Sequence, residues 1–151
     1  MRALCLDVGS KTIGLALSDP TGSIAQALEV LARQGHVRDA ETVLARVATH
    51  GVEQLVIGLP LELDGSAGHR ARLVQRFVDA LEQAIATRGL SLPIVQWDER
   101  FSTAAAERTL IEADVSRRKR KQTIDAVAAQ FILQGWLDSR SRSRELGEGP
   151  A

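Results

Sequence analysis

Cysteine is nearly absent from this 151-residue chain: Cys5 is the only one, and it sits inside an apolar run. A disulfide framework is excluded, and a reducing compartment is the natural setting. The three histidines, His36, His50 and His69, are scattered without the spacing of zinc ligands. Aromatic residues make up 3% and tyrosine is missing, which argues against a base-stacking platform for single strands. Lys+Arg and Asp+Glu balance at 19 each, so no global field marks a polyanionic partner. No apolar run approaches the ~18 residues of a membrane span. The opening run is broken at Asp7, too early for a signal-peptide core. A cytoplasmic protein without membrane contact is the expectation. Phosphate loops are missing as well. Gly9 and Gly14 have the spacing of one, but Leu15-Ala16 follows where Lys-Ser/Thr is required. Neither a Gly-x-Gly-x-x-Gly run nor a nucleophile elbow occurs.

What is present suits one globular domain, with 44% apolar and 25% charged residues. The neutral total hides an asymmetry. Residues 114–144 carry eight basic side chains against three acidic ones, and the rest of the chain carries the opposite excess. Five of the eight, Arg117, Arg118, Lys119, Arg120 and Lys121, are consecutive.

Hydrophobic periodicity predicts strands at 3–8, 13–18 and, more weakly, within 23–31, joined by short turns as an antiparallel meander. Helical spacing follows from Val37 to Val47, ended by Gly51. A short strand at 55–59 stops at Pro60, and Asp64-Gly65-Ser66 makes a turn and a helix cap. A second helical stripe runs from Val74 to Ile85, and a fifth strand at 94–97 ends at Asp98-Glu99-Arg100. Two further helices are expected at 103–113 and 123–137, separated by the basic run. This order describes an α/β protein with a five-stranded mixed sheet and flanking helices. The domain is expected to span 1–138, with 139–151 a disordered tail.

Three carboxylates stand in unusual places. Asp7 interrupts the most apolar strand at its C-terminal end, where an unpaired charge costs several kcal/mol. Glu99 follows the fifth strand, and ligands of open α/β sheets favour the crevice beyond strand C-termini. If the first and fifth strands are parallel, both carboxylates face one crevice. Asp125, on a helix starting near Thr123, is followed at i+3, i+4, i+7 and i+11 by Ala128, Ala129, Ile132 and Trp136. It therefore heads an apolar face, and the two alanines allow close approach to the sheet. Converging without basic partners, the three would repel unless metal ions sat between them. Hard oxygen donors select Mg²⁺ or Mn²⁺, and two such ions roughly 4 Å apart hydrolyse phosphodiesters. Each residue also has a plainer reading. Asp7 and Gly9 suit a strand-end turn, and Glu99 beside Arg100 suits a surface ion pair. Asp125 in a first helical turn would complement the helix dipole. The basic run suits a solvated loop, and Phe101 a core or lid residue.

The residues 7–16, Asp-Val-Gly-Ser-Lys-Thr-Ile-Gly-Leu-Ala, resemble the opening of the YqgF family of Holliday junction resolvases or pre-16S rRNA nucleases. Gly58-Leu59-Pro60-Leu61 with Asp64-Gly65-Ser66 resembles its second signature, and the run Asp98-Glu99-Arg100-Phe101-Ser102-Thr103 its third. Ile124-Asp125-Ala126-Val127-Ala128-Ala129, with Ile132-Leu133-Gln134 and Leu137-Asp138, is similar to the fourth. Thr12 departs from the pattern, because many members place an arginine there. The resemblance implies an RNase H-like fold and a metal-dependent endonuclease related to RuvC-type resolvases. Its catalytic acids carry over to Asp7, Glu99 and Asp125. It also implies a role in rRNA processing and ribosome biogenesis or in resolving branched DNA.

In the mechanism expected on this basis, Asp7 bridges two Mg²⁺ ions, and Glu99 and Asp125 each complete one coordination shell. Lys11, Arg100 and the run Arg117, Arg118, Lys119, Arg120 and Lys121 hold flanking phosphates. The partner is precursor rRNA or branched DNA, and resolvase analogy favours a homodimer. Two other classes compete. An actin/Hsp70-like ATPase also opens with Asp-x-Gly, but needs two such domains to clamp ATP. A non-catalytic factor in transcription or ribosome assembly would use the basic patch alone.

Overall fold

The computed structural model describes residues 1–60, 64–65, 67–99 and 117–145, with side chains from 124 to 143 in the last segment. Strands β1 (Ala3–Val8), β2 (Thr12–Ser18) and β3 (Ala25–Ala32) form the expected antiparallel meander. Helix α1 (His36–His50) closes on Gly51, whose φ of 63° is the left-handed conformation that glycine adopts without steric cost. It leads into β4 (Gln54–Leu59), which lies parallel to β1. Helix α2 (His69–Thr87) then crosses to β5 (Ile94–Asp98), parallel to β4. The sheet order is β3-β2-β1-β4-β5, the mixed α/β arrangement expected from the order of elements.

Period-2 alternation divides the core between the two faces of the sheet. Leu4, Leu6 and Val8 of β1 join Ile13, Leu15, Leu55 and Ile57 beneath α1 and α2. Ala3 and Cys5 point the other way, with Ala16 and Val56, toward helix α3 (Arg117–Glu145). The α3 side of that layer is Ala129, Ile132, Leu133, Trp136 and Leu137. Two α3 glutamines lock the helix to the edge strand. Gln134 accepts from the Ala25 N–H at 2.9 Å and donates to the Ser23 carbonyl, and Gln130 donates to the Ala25 carbonyl.

Three expectations change. The basic residues Arg117, Arg118, Lys119, Arg120 and Lys121 are not a loop between helices; they form the first turns of α3. Arginine and lysine are good helix formers, and no glycine or proline intervenes to break the helix before Asp125. At its other end α3 continues through 139–145, where a frayed tail was expected. There the Arg140 guanidinium lies over the Trp136 ring, 4.8 Å from its centroid, one turn apart. Finally, Gly68 caps α2 with extended backbone and no side-chain hydrogen bond, so the cap is not in Asp64-Gly65-Ser66. The helix expected at 103–113, and Arg100 and Phe101 before it, lie outside the described residues, as do 146–151. Among the described residues no helix is long and apolar enough to cross a membrane.

Candidate active site

Asp7 continues the Ala3–Cys5 side of β1, which places its carboxylate on the face that α3 covers. It is 4% exposed. Across the ladder it pairs with Gly14. A Cβ at Gly14 would lie 2.0 Å from the Asp125 carbonyl oxygen, so the α3 backbone rests directly on that glycine. Ala128 and Ala129, both buried, permit this approach, as their size led one to expect. Asp125 is thereby set one strand away from Asp7. Its Oδ2 accepts a 2.6 Å hydrogen bond from the Thr12 hydroxyl of β2.

Glu99 follows β5 directly. Because β1, β4 and β5 are parallel, their C-terminal ends lie side by side, and Asp7 and Glu99 do face one crevice. Gly58 of the intervening strand makes room: a Cβ there would lie 2.7 Å from Glu99 Oε1 and 3.1 Å from Ile132 Cδ1. The Cys5 thiol, two residues before Asp7 on the same face, registers this charge. Burial pushes its pKa well up, and the carboxylates of Asp7 and Glu99 push it further.

Contrary to expectation, the acids have a basic partner. Arg70, in the first turn of α2, places Nη2 2.9 Å from Asp7 Oδ1 and Nη1 3.7 Å from Glu99 Oε2. A cation at a helix N-terminus opposes the helix dipole. Two carboxylates ahead of it reverse that balance.

Asp125 does not occupy a first helical turn, because α3 begins at Arg117. The dipole effect fades within the first turn, so the plainer reading of Asp125 loses its basis. A cleft of about 480 Å³ opens beside these groups, lined among others by Lys11, Thr12, His69, Arg70 and Asp125. Its floor is the β1–β2 turn, and Arg33 braces that turn from behind. The Arg33 guanidinium donates to the Gly9 carbonyl at 2.7 Å and to Asp39 Oδ2 at 2.7 Å. Its Nη2 also meets His36 Nδ1 at 3.0 Å, and its backbone N–H donates to the Lys11 carbonyl.

Of the residues singled out from sequence, Asp7 and Glu99 meet at Arg70, and Lys11 and Asp125 line the cleft that Arg70 also lines. Arg100 and the side chains of Arg117, Arg118, Lys119, Arg120 and Lys121 lie outside the described residues. Arg70, the Arg33–Asp39 pair and the bond from Thr12 to Asp125 were missed. A signal for Arg70 was available: Val74, Phe77 and Leu81 follow it at i+4, i+7 and i+11, so it heads an apolar face as Asp125 does.

The donor chemistry fits a hard divalent ion, since every candidate ligand is a carboxylate. Gly14 lets the backbone at Asp125 rest on the sheet, and Gly58 leaves room for the Glu99 side chain. As they stand, however, no three His, Cys, Asp or Glu side chains among the described residues form a group that could hold a metal. Arg70 stands against two of the acids, and Thr12 bonds the third.

A family model described as RuvX, Holliday junction resolvase, matches residues 1–139. The chain belongs to that family. It is a nuclease by membership, as the four motifs implied. A Myxococcus xanthus protein named as a candidate pre-16S rRNA nuclease is 48% identical over 139 residues, 92% of this chain and 89% of the relative. A Desulforamulus reducens protein of the same name is 46% identical over 94% of this chain and 100% of the relative. Among solved structures, Thermus thermophilus RuvC in complex with Holliday junction substrate matches with a TM-score of 0.59 at 14% identity. That match covers 97% of this chain and 96% of RuvC. The fowlpox virus Holliday junction resolvase matches with a TM-score of 0.51 at 13% identity, over 92% and 99% of the two chains. These two likenesses establish the resolvase-type, RNase H-like fold.

Proposed function

We propose that the chain is a divalent-metal-dependent endonuclease of the cytoplasm that hydrolyses phosphodiester bonds in structured nucleic acid. Precursor 16S rRNA is the substrate we favour. The observation that supports the metal site is that Arg70, which meets both Asp7 and Glu99, lines the same cleft as Asp125. These three acids are the residues that would hold Mg²⁺ or Mn²⁺. When bound, such an ion supplies Lewis acidity at the phosphodiester and a water of lowered pKa.

The chain's own groups supply the rest. Thr12 fixes the rotamer of Asp125 through the hydroxyl bond. Arg33 holds the turn that presents Lys11 to the cleft, and Lys11 and His69 on its wall meet the phosphates flanking the scissile bond. The basic turns at the start of α3, on the same helix as Asp125, extend that contact along the polynucleotide.

The substrate assignment follows the names of the relatives at 46–48% identity. Branched DNA is the second reading, favoured by the description of the family model. Incubating the purified protein and Mg²⁺ with a 5′-extended 16S precursor and, separately, with a four-way DNA junction tests both. Precursor cleavage that EDTA abolishes is expected. Preferential junction cleavage would favour the second reading, and cleavage of neither substrate would contradict the proposal.

A further inference from the structure

Arg70 occupies the position that the nuclease reading assigns to a metal. Its two terminal nitrogens address different acids, Asp7 Oδ1 at 2.9 Å and Glu99 Oε2 at 3.7 Å, so one guanidinium bridges the pair. The exposures of the partners are unequal. The Asp7 side chain is 4% exposed and fixed in a central strand, whereas the Arg70 side chain is 42% exposed on the cleft wall. Between the two, Arg70 is the group with solvent to move into.

A divalent ion cannot share this place. Mg²⁺ takes carboxylate oxygens at about 2.0–2.1 Å in a near-octahedral shell. A guanidinium nitrogen hydrogen-bonded to the same oxygen lies inside the space that shell needs, and the two cations repel. Asp7, 4% exposed, also gains from a counter-charge in the absence of metal, because burying a carboxylate is costly.

We propose that Arg70 is a built-in counterion for Asp7 and Glu99 that a divalent ion must displace, so that this arginine sets the metal affinity of the site. The proposal rests on reading Asp7 and Glu99 as metal ligands. Its functional consequence is a site held in an inactive, partly neutralised form until the divalent ion concentration is high enough to exchange with the guanidinium.

The test is Mn²⁺ binding to the full chain, followed by calorimetry and by the electron paramagnetic resonance of free Mn²⁺, with no nucleic acid present. Wild type, Arg70→Met, Arg70→Lys and Asp7→Asn are compared. Arg70→Met keeps an unbranched apolar stem and removes the charge, and it should bind Mn²⁺ at least tenfold more tightly than wild type. Its metal-free form should melt at a lower temperature, and Mn²⁺ should raise that temperature by more than it does in wild type. Arg70→Lys, which keeps one positive charge but offers one nitrogen where arginine offers two, should fall between the two. In the unaltered protein the Arg70 Nε–H resonance should shift as Mg²⁺ is added, a readout that needs no variant to fold. Unchanged or weaker Mn²⁺ binding by Arg70→Met, with binding lost in Asp7→Asn, would overturn the inference and leave the nuclease reading standing. Mn²⁺ binding that survives Asp7→Asn would overturn both.

Discussion

Individual residues show how far local chemistry carries. His36 Nδ1 meets Arg33 Nη2, so the ring is held as a neutral acceptor. Burial lowers its pKa, the charges of Arg33 and Arg76 lower it further, and Asp39 opposes them only in part. A histidine whose folded pKa lies below its unfolded value of about 6.5 binds fewer protons folded than unfolded. Its stabilisation is therefore complete above about pH 6.5 and lost as pH falls toward the folded value. In urea unfolding at pH 7, 6 and 5, wild type should lose stability relative to His36→Gln, which keeps an acceptor but does not titrate. Parallel pH profiles would remove His36 from the account. At this scale the acids stood out by position: Asp7 interrupts an apolar strand, Asp125 heads an apolar helix face, and Glu99 follows a strand end. Thr12 and Arg33 were not, since a threonine in a strand and an arginine after one are ordinary, and only the fold brings Asp125 and Asp39 to them.

Elements are placed by what their backbones must clear. At Gly14 a Cβ would meet the Asp125 carbonyl at 2.0 Å, and backbone on a packed helix cannot step aside. Gly14→Ala should therefore displace α3 and cost at least the roughly 1–3 kcal/mol typical of overpacking. At Gly58 the obstacle at 2.7 Å is the end of the Glu99 side chain, which can rotate away. Gly58→Ala should cost less stability but move Glu99 and reduce cleavage strongly. Denaturant unfolding and cleavage rates on both variants separate the two effects, and equal losses of stability would contradict this difference.

The helical start of α3 bears on substrate binding. Each cation that neutralises a duplex phosphate contributes about −0.9 to the slope of log affinity against log salt. Consecutive residues of a helix point around its axis, so only some of the five basic residues at 117–121 can address one backbone. Neutralising all five should flatten the slope by roughly 2–3 units, and an unchanged slope would place the polynucleotide elsewhere. Among the described residues the element types were readable from period; the ends of α3 were not. Its terminal turns carry arginines and serines without apolar spacing, and there helix propensity and the Trp136–Arg140 contact replace the hydrophobic signal.

For the whole molecule, the decisive feature is topology. Short turns predicted the β1–β2–β3 meander, and helical crossovers predicted parallel strands. The position of β4 against β1 was not written in any local pattern. That placement sets the ends of β1, β4 and β5 side by side and brings the sequence-distant Asp7 and Glu99 within reach of one guanidinium, that of Arg70. Family membership removes the two-domain ATPase class, and turnover separates a nuclease from a non-catalytic binder of the same fold. The most direct measurement is single-turnover cleavage of 5′-extended 16S precursor in Mg²⁺ by wild type, Asp7→Asn and Asp125→Asn, each verified as folded by circular dichroism. Loss of a metal ligand should remove about 3–4 kcal/mol of transition-state stabilisation, a fall of roughly 10²–10³ in rate in both variants. An undiminished rate in either variant, from a preparation free of contaminating nuclease, would contradict the assignment of that acid to the metal site.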